Sequence, residues 1–426
     1  MKIMVLGGGG REHAVVHAFA KSSITTELHC CPGNPGIAKL AKCHAGDICC
    51  PNDMKKLCCD LGIELVFVGP EAPLVAGTAD ALRDAGILVV GPGKSGARLE
   101  GSKAFSKQFM KRHNIPTSDF DICTNLDECR AALSKRKAPF VVKADGLAAG
   151  KGAFLPETYD EAIDICKMML VEQKLGTSGN LIVIEDFVPG VETTVLALCD
   201  GKTIRVLPSS QDHKRALDGD KGNNTGGMGA YSPVPWIDDK FMKKVTDEIL
   251  NPTVEGLASD GIPFIGVIYA GIMVKKDGSL SVLEYNVRLG DPETQVVLPA
   301  FGGDFGEAAL ACAKGELSKI KWAGAARTAL GVVIASGGYP GKFEKGYVIT
   351  DSGADGDDTF IYHAGTKVNE NNETVTNGGR VLTVVAMADT LQEAHDKAYK
   401  RVGEISFKDC IFRKDIGDKS LKGKEK

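Results

Sequence analysis

The sequence predicts an α/β protein whose N-terminal part is a doubly wound parallel sheet. Over the first hundred residues, short apolar runs at 3–6, 28–31, 65–68 and 87–90 alternate with helical stretches, the pattern of parallel strands joined by crossover helices. Each run ends in glycine or proline, at GGGGREH, PGNPG, GPEAPL and GPGKSG, and the C-terminal ends of such strands line the ligand crevice. With 426 residues, 43% of them hydrophobic, the chain is long enough for about two to four domains with a sizeable core.

The first glycine run fits a dinucleotide fingerprint poorly. Started at Gly7 or Gly8, the motif finds Glu12 or His13 where its third glycine belongs, and no acid closes the second strand. A glycine turn whose N–H groups bind one phosphate or a ribose fits better. A helix follows from Ser102, its N-cap, to about residue 113, with Lys103 in the first turn and Phe105 and Phe109 one turn apart on the buried face. Residues 116–192 read as a small α/β lobe ending at Pro189-Gly190. Residues 193–326 mix strands with a polar, glycine-rich stretch, 211–232, too long and irregular for an ordinary connection and therefore functional. The last hundred residues open on LGVVIASGGYPG and end in the helical pattern LQEAHDKAYKRV.

Composition narrows the function class. The net charge is −4 and the one basic run, at 419–426, is a short solvated tail, so nucleic acid is not an expected partner. The N-terminus MKIMVL is too short an apolar run for a signal peptide, and no segment approaches the roughly 18 apolar residues of a membrane span. A cytoplasmic location is expected. Of thirteen cysteines, seven fall within 30–59. None has the C-x2-C spacing of a metal site, so reduced cysteines acting as small apolar residues are expected, with sensitivity to oxidation.

Chemistry concentrates in three stretches. In PFVVKADGLAAGKGAF, residues 139–154, an apolar strand delivers Lys143 at its end, and Gly146, Gly150 and Gly152 leave a backbone able to close on phosphates around Lys151. A P-loop needs four residues before Gly-Lys and then Ser or Thr; here three intervene and Gly152 follows. Phosphate is gripped by a different device, although a surface hairpin with two solvated lysines has the same composition. In SVLEYNVRLGDPET, strand alternation puts Glu284, Asn286 and Arg288 on one face. That set supplies two hard oxygen ligands for magnesium and a guanidinium for a carboxylate or phosphate; a salt-bridged solvent face is the alternative. SQDHKRALDGDKGNNTGGMGAYSP sets Asp212, His213, Lys214 and Arg215 beside a glycine turn, where His213 reads as a hydrogen-bonding or solvated residue. No protein nucleophile can be assembled from spacing.

The motifs GGREHA, VGPEAPL, EGSKAFSK, VKADGLAAGKG, SQDHKR, NTGGMGAYSP, EYNVRLGDPETQ, GGYPG, HAGTK and TNGGR occur in this order over nearly the whole chain. The sequence thereby resembles the phosphoribosylamine–glycine ligase family of the ATP-grasp superfamily. The resemblance implies an N-terminal phosphoribosylamine-binding domain (1–102), an ATP-grasp unit of two lobes (103–192 and 193–326) and a C-terminal domain (327–426), as in biotin-carboxylase-like enzymes. The implied reaction joins glycine to 5-phosphoribosylamine with ATP cleaved to ADP and phosphate, through glycyl phosphate. ATP and Mg2+ or Mn2+ are the implied co-substrate and metal, and a monomer acting alone on small molecules is implied.

Carried over by motif, Lys103 and Lys143 resemble nucleotide-phosphate ligands, and the segment 146–152, with Gly150, Lys151 and Gly152, resembles the lid. Glu185, Phe187 and Val188 resemble the adenine hinge, acting largely through backbone groups, and Glu192 the acid on the ribose. Glu284 and Asn286 resemble the metal ligands. Arg288 would hold glycine's carboxylate, with Asp212 and Lys214 nearby, and Arg288, Lys151 and Asp212 would be the catalytic set. Gly9, Gly10, Glu71, Lys367 and Arg380 are the implied phosphoribosylamine contacts. The hinge reads EDFV in place of the commoner EEFL-like sequence, and IYAGIMV offers Met273 where many relatives of the superfamily carry a second metal-binding acid. Two other readings remain open: an ATP-grasp carboxylase, against which SQDHKR and NTGGMGAYSP count, and a regulatory protein that holds ATP without turnover.

Overall fold

The computed structural model describes residues 1–147, 152–353, 356 and 358–423. Strands β1 (Lys2–Gly7), β2 (Glu27–Pro32), β3 (Lys42–Cys43), β4 (Leu65–Val68) and β5 (Leu88–Val90) form a parallel sheet in the order β3-β2-β1-β4-β5. Alternation along β1 decides what each face buries. Ile3 and Val5 pack with Phe19, Phe67 and Leu298, whereas Met4 and Leu6 pack with Leu82, Val195 and Ile268. Both faces are covered, as a parallel sheet requires. The strand order reverses at β1, so a crevice opens beyond the ends of β1 and β4, where the glycines Gly7 and Gly69 stand.

The helix Lys103–Arg112 begins where the sequence places it. Ser102 is its N-cap, and the Ser102 hydroxyl accepts the Phe105 N–H at 3.1 Å. Phe109 is fully buried and Phe105 partly so, beneath the guanidinium of Arg98. A small antiparallel sheet follows: β6 (Phe120–Cys123), β7 (Val141–Ala144), β8 (Ala153–Phe154) and β9 (Ile182–Glu185), in the order β6-β9-β7-β8. The helices Leu126–Ser134 and Tyr159–Leu170 cover its apolar face and bury Cys123, Cys129 and Cys166. Across the chain the cysteines are free thiols, and among the described residues no group of three His, Cys, Asp or Glu side chains is arranged to hold a metal.

From residue 191 the chain forms β10 (Val191–Cys199), β11 (Ile204–Val206), β12 (Gln211–Asp212), β13 (Arg215–Leu217), β14 (Lys221–Asn224), β15 (Gly229–Ser232), β16 (Gly266–Val274) and β17 (Leu280–Asn286). An antiparallel sheet takes the order β11-β10-β16-β17, and the two faces of β10 feed the same two clusters that cover β1. Shared cores thus lock β17 against the N-terminal crevice.

The stretch 211–232 differs from its expected irregular course. It contains four short strands, and β15 joins β12 to β18 (Thr328–Ala335) in a five-stranded sheet, β12-β15-β18-β23-β20, with β20 (Thr359–His363) and β23 (Arg380–Ala388). Ala230 and Tyr231 are fully buried there. This sheet crosses position 327, where the sequence reading drew its last boundary. Polar, glycine-rich residues carry no strand periodicity, and partner strands from the far end of the chain supply the pairing. Pairs β19–β24 (Thr350–Asp351 with Ile405–Ser406) and β21–β22 (Thr366–Val368 with Thr374–Thr376) complete the C-terminal part, and the helix Leu391–Val402 packs on its main sheet.

Candidate active site

Arg11 of the first helix, the ends of β4 and β17, the helix from Lys103 and the hairpin β13–β14 enclose a cleft of about 510 Å³. Its wall carries six cations, Arg11, Lys103, Lys107, Lys214, Arg288 and Arg380, and five acids, Glu71, Glu100, Glu185, Glu284 and Asp291. So many charges in one concavity suit a highly charged ligand better than an apolar one.

Three local devices aim these groups. Asp145, just after β7, accepts the Ser102 hydroxyl at 2.9 Å and the Ala104 N–H at 2.7 Å, while its carbonyl accepts the Lys103 N–H at 3.1 Å. The lysine strand and the lysine helix are thereby tied at one residue. The second device is the register slip between β16 and β17, where Gly271 faces Glu284 but Ile272 faces Val282. Leu283 is the extra residue of a bulge, and its unpaired carbonyl accepts Lys143 Nζ at 3.1 Å. The third is Arg380, which donates to the carbonyls of Gly226 and Asp291, at 2.5 and 2.7 Å, and lies 3.2 Å from the Asp291 carboxylate. It holds the glycine turn against the DPET segment.

The Glu185 carboxylate is buried between two lysines, with Lys107 Nζ at 2.7 Å and Lys143 Nζ at 2.9 Å. Against the cost of burial, the two ammonium groups hold Glu185 down to about 2. Burial, opposed by Glu185, brings Lys107 down to about 8, whereas at Lys143 Glu185 and Glu284 outweigh burial and raise the pKa. Burial also works against Glu284, and Lys214, Lys143 and Lys103 overcome it, so its carboxyl lies below the usual range. Among the described residues no cation comes within ion-pair distance of Glu284. Asn286 Oδ1 accepts Arg288 Nη2 at 3.1 Å, and Arg288 also reaches Glu100 at 3.0 Å and Glu71 at 3.3 Å.

Family models describe the chain in three parts: the phosphoribosylglycinamide synthetase N domain matches residues 1–100, the ATP-grasp (A) domain 101–294 and the C domain 329–419. The chain belongs to the phosphoribosylglycinamide synthetase family. It is 43% identical over 421 residues to the phosphoribosylamine–glycine ligase of Halalkalibacterium halodurans, covering 99% of this chain and 97% of that one. The crystal structure of phosphoribosylamine–glycine ligase from Thermotoga maritima superposes with a TM-score of 0.87 at 34% identity, over 98% of this chain and all of that one. The biotin carboxylase domain of Hydrogenobacter thermophilus 2-oxoglutarate carboxylase, solved with MgADP, has a TM-score of 0.75 at 15% identity over 96% of this chain and 91% of that one, which shows a shared fold.

Within this synthetase fold, the cleft gathers Lys103, Gly152, Glu185, Lys214, Glu71, Glu284, Asn286, Arg288 and Arg380 from the expected set. Lys143 lies behind the wall, on Glu185. Glu192 is paired with Lys214, which it holds well above the ordinary lysine range against the effect of burial. Asp212 keeps one buried oxygen without a hydrogen-bond partner, and burial and the nearby Glu293 raise its pKa. A side chain at Gly227, where φ is +111°, would meet that oxygen. Phe187 is exposed and Val188 half-buried at the hinge. Gly150 and Lys151 lie outside the described residues.

Other residues of the expected set stand as follows in this structure. The Gly9 N–H is taken by the Glu12 carboxylate at 2.7 Å, and the space at Gly10 is closed by Gln295, so these positions pack the first helix onto its neighbours. Lys367 is exposed on the β21–β22 hairpin and does not line the cleft. The Glu185 side chain, expected to be secondary to its backbone, is the anion that fixes two lysines. Sequence reading missed Arg11, Glu100, Lys107 and Asp291. Lys107 alone carried a signal, four residues after Lys103 on a predicted helix.

Proposed function

We propose that the chain joins glycine to 5-phosphoribosylamine at the expense of ATP, giving glycinamide ribonucleotide, ADP and phosphate, the second step of de novo purine synthesis. The observation that carries this reading is the single cleft that opposes Lys103, Lys214, Arg288 and Arg380 to Glu284 and Asn286, in a chain matched almost end to end by one synthetase family.

Glycine's carboxylate oxygen attacks the γ-phosphorus and ADP leaves. The ribosylamine nitrogen then attacks the carbonyl carbon of glycyl phosphate, the C–O bond to phosphate breaks, and the nitrogen gives up a proton. Both nucleophiles come from substrates, so the residues position and neutralise. We assign Lys103 and Lys143 to the ATP phosphates and Glu192 to the ribose. Arg288 takes glycine's carboxylate, and Asp212, with its unpartnered oxygen, takes glycine's ammonium. Arg380 and Glu71 face phosphoribosylamine, and Lys151 belongs to the lid.

Glu284 and Asn286 would suit a hard cation, since both offer oxygen and among the described residues too few protein ligands gather here for a closed cage; substrate phosphates would complete such a shell. Mg2+ or Mn2+ held by Glu284 and Asn286 would supply charge neutralisation for phosphoryl transfer. We propose a monomer in the cytoplasm; among the described residues no helix is long and apolar enough to cross a membrane.

The test is ADP release by purified protein with Mg-ATP, glycine and freshly generated phosphoribosylamine, omitting each in turn. Release that requires both co-substrates, with glycinamide ribonucleotide found by mass, is expected. Release without phosphoribosylamine would assign a different acceptor, and ATP binding with no turnover in any mixture would sink the ligase reading.

A further inference from the structure

The hairpin β13–β14 cannot hold its own position. Its second strand is exposed throughout, and a two-stranded ribbon of three and four residues is marginal in water. Yet both its ends enter the cleft. Lys214 precedes β13, and Asn224, Thr225 and Gly226 follow from the end of β14, all of them lining the wall. The Lys214 carbonyl accepts the Thr225 N–H and the Thr225 hydroxyl, each at 2.8 Å, which closes the base of the hairpin.

What fixes the ribbon is the segment 413–419, about two hundred residues further on. Arg413 is only 1% exposed. Its guanidinium grips Asp415 with two bonds, Nε at 2.7 Å and Nη2 at 2.8 Å, and turns Nη1 to the hairpin, reaching the Arg215 carbonyl at 3.1 Å and Asp220 at 2.8 Å. Asp415 accepts the Gly219 N–H at 2.8 Å, and the Lys414 N–H donates to Asp218 at 2.8 Å. The Gly417 N–H donates to His213 Nε2 at 3.2 Å, just before the ribbon. The start, the turn and the first strand are thus all anchored to this one segment.

We propose that Arg413 is a positioning residue for the phosphoribosylamine half of the cleft. By clamping the β13–β14 hairpin it sets where Asn224, Thr225 and Gly226 stand beside Arg380 and Asp291. Arg413 itself does not line the cleft, so its effect passes through the hairpin. A buried guanidinium with four hydrogen bonds on three acceptor residues is geometrically demanding, and lysine cannot reproduce its fork. The nucleotide end of the cleft, built from Lys103, Lys107 and Glu185, rests on other elements, and Lys214 at the base of the hairpin keeps its own ion pair with Glu192 when the clamp is cut. The choice of affected substrate rests on the ligase reading.

The test compares wild type with Arg413→Gln, Arg413→Lys and Asp220→Asn. Asp220→Asn keeps the Arg413–Asp415 pair and weakens the hairpin's bonds to Arg413 and Lys419, so it serves where Arg413→Gln fails to fold. In Arg413→Gln, KM for phosphoribosylamine should rise about tenfold with a smaller fall in kcat, the mark of lost binding geometry. Arg413→Lys and Asp220→Asn should fall between it and wild type. Dissociation constants for an ATP analogue, measured by direct binding, should stay within about twofold. Trypsin should cut at Lys221 faster in the variants, and saturating phosphoribosylamine should restore protection. A shift of all substrate constants together with thermal stability, or unchanged trypsin cleavage in Arg413→Gln and Asp220→Asn, would overturn the inference. Failure of the wild type to form product would instead sink the ligase reading, while the trypsin result would still report on the clamp.

Discussion

Lys107 Nζ lies 2.7 Å from Glu185 Oε2, both side chains being 2% exposed. The same ammonium donates to Thr117 at 2.7 Å and Ser118 at 2.9 Å, and Ser118 donates to Glu185 at 2.9 Å. The pair is therefore a hydrogen-bonded knot joining the helix Lys103–Arg112 to β9, and it leaves Lys143 as the second cation on one carboxylate.

Cutting this knot at one end should be costly. Lys107→Met is expected to lower unfolding stability by about 3 kcal/mol, the usual scale for breaking a buried ion pair. Lys107→Met/Glu185→Gln should recover none of the loss, because Lys143, 2.9 Å from Glu185, then loses its carboxylate as well. Urea denaturation of the four proteins of the cycle measures this, and a double variant more stable than Lys107→Met would contradict it.

Removing the proposed metal ligand should separate chemistry from folding. Glu284→Ala is expected to reduce ligation at least about a hundredfold, the scale of lost charge stabilisation in phosphoryl transfer. Circular dichroism and the melting temperature should stay near wild type, since no described cation pairs with Glu284. Unchanged turnover would remove the metal assignment, and raised Mg2+ should partly rescue Asn286→Ala.

Asp145 couples two lysines through one helix start. Asp145→Ala should cost about 1 kcal/mol, the typical worth of such a cap. It should also weaken ATP-analogue binding several-fold, because Lys103 loses its fixed approach. Calorimetric titration checks the second part; a stability loss with unaltered nucleotide affinity would confine Asp145 to a structural role.

Buried histidines should make the fold acid-sensitive. Burial brings His213 down to about 4 and His13 to about 3. Each accepts a backbone N–H on one ring nitrogen, His213 from Gly417 at 3.2 Å and His13 from His363 at 2.8 Å, which requires the neutral ring. The unfolded state binds these protons near pH 6.5 and the folded state does not, so stability should fall as pH drops from about 6.5 towards 4. His213→Gln, which keeps an acceptor but cannot titrate, should flatten this slope in denaturation midpoints measured across that range. An unchanged slope would show that other groups carry it.

Local signals determined much of this protein by themselves. Alternating apolar runs closed by glycine announced the parallel sheet, because the period of two and the turn residues are properties of adjacent positions. Ser102 announced a helix start for the same reason, and the ordered motifs announced the family. Glu284, Asn286 and Arg288 were legible as residue types suited to phosphate and a hard cation, and Lys103, Lys214 and Arg380 through the family resemblance. Only the tertiary structure decided who pairs with whom. Glu185 reads as a hinge residue until two lysines from separate elements close on it. Gly9 offers an N–H until Glu12 takes it, and Lys367 reads as a phosphate ligand until its hairpin turns it to solvent. The stretch 211–232 carries no periodicity, yet it becomes strands because β18 and the segment 413–419 lie against it. Such outcomes depend on contacts across a hundred residues or more, where burial and hydrogen-bond satisfaction act between elements and leave no mark in local spacing.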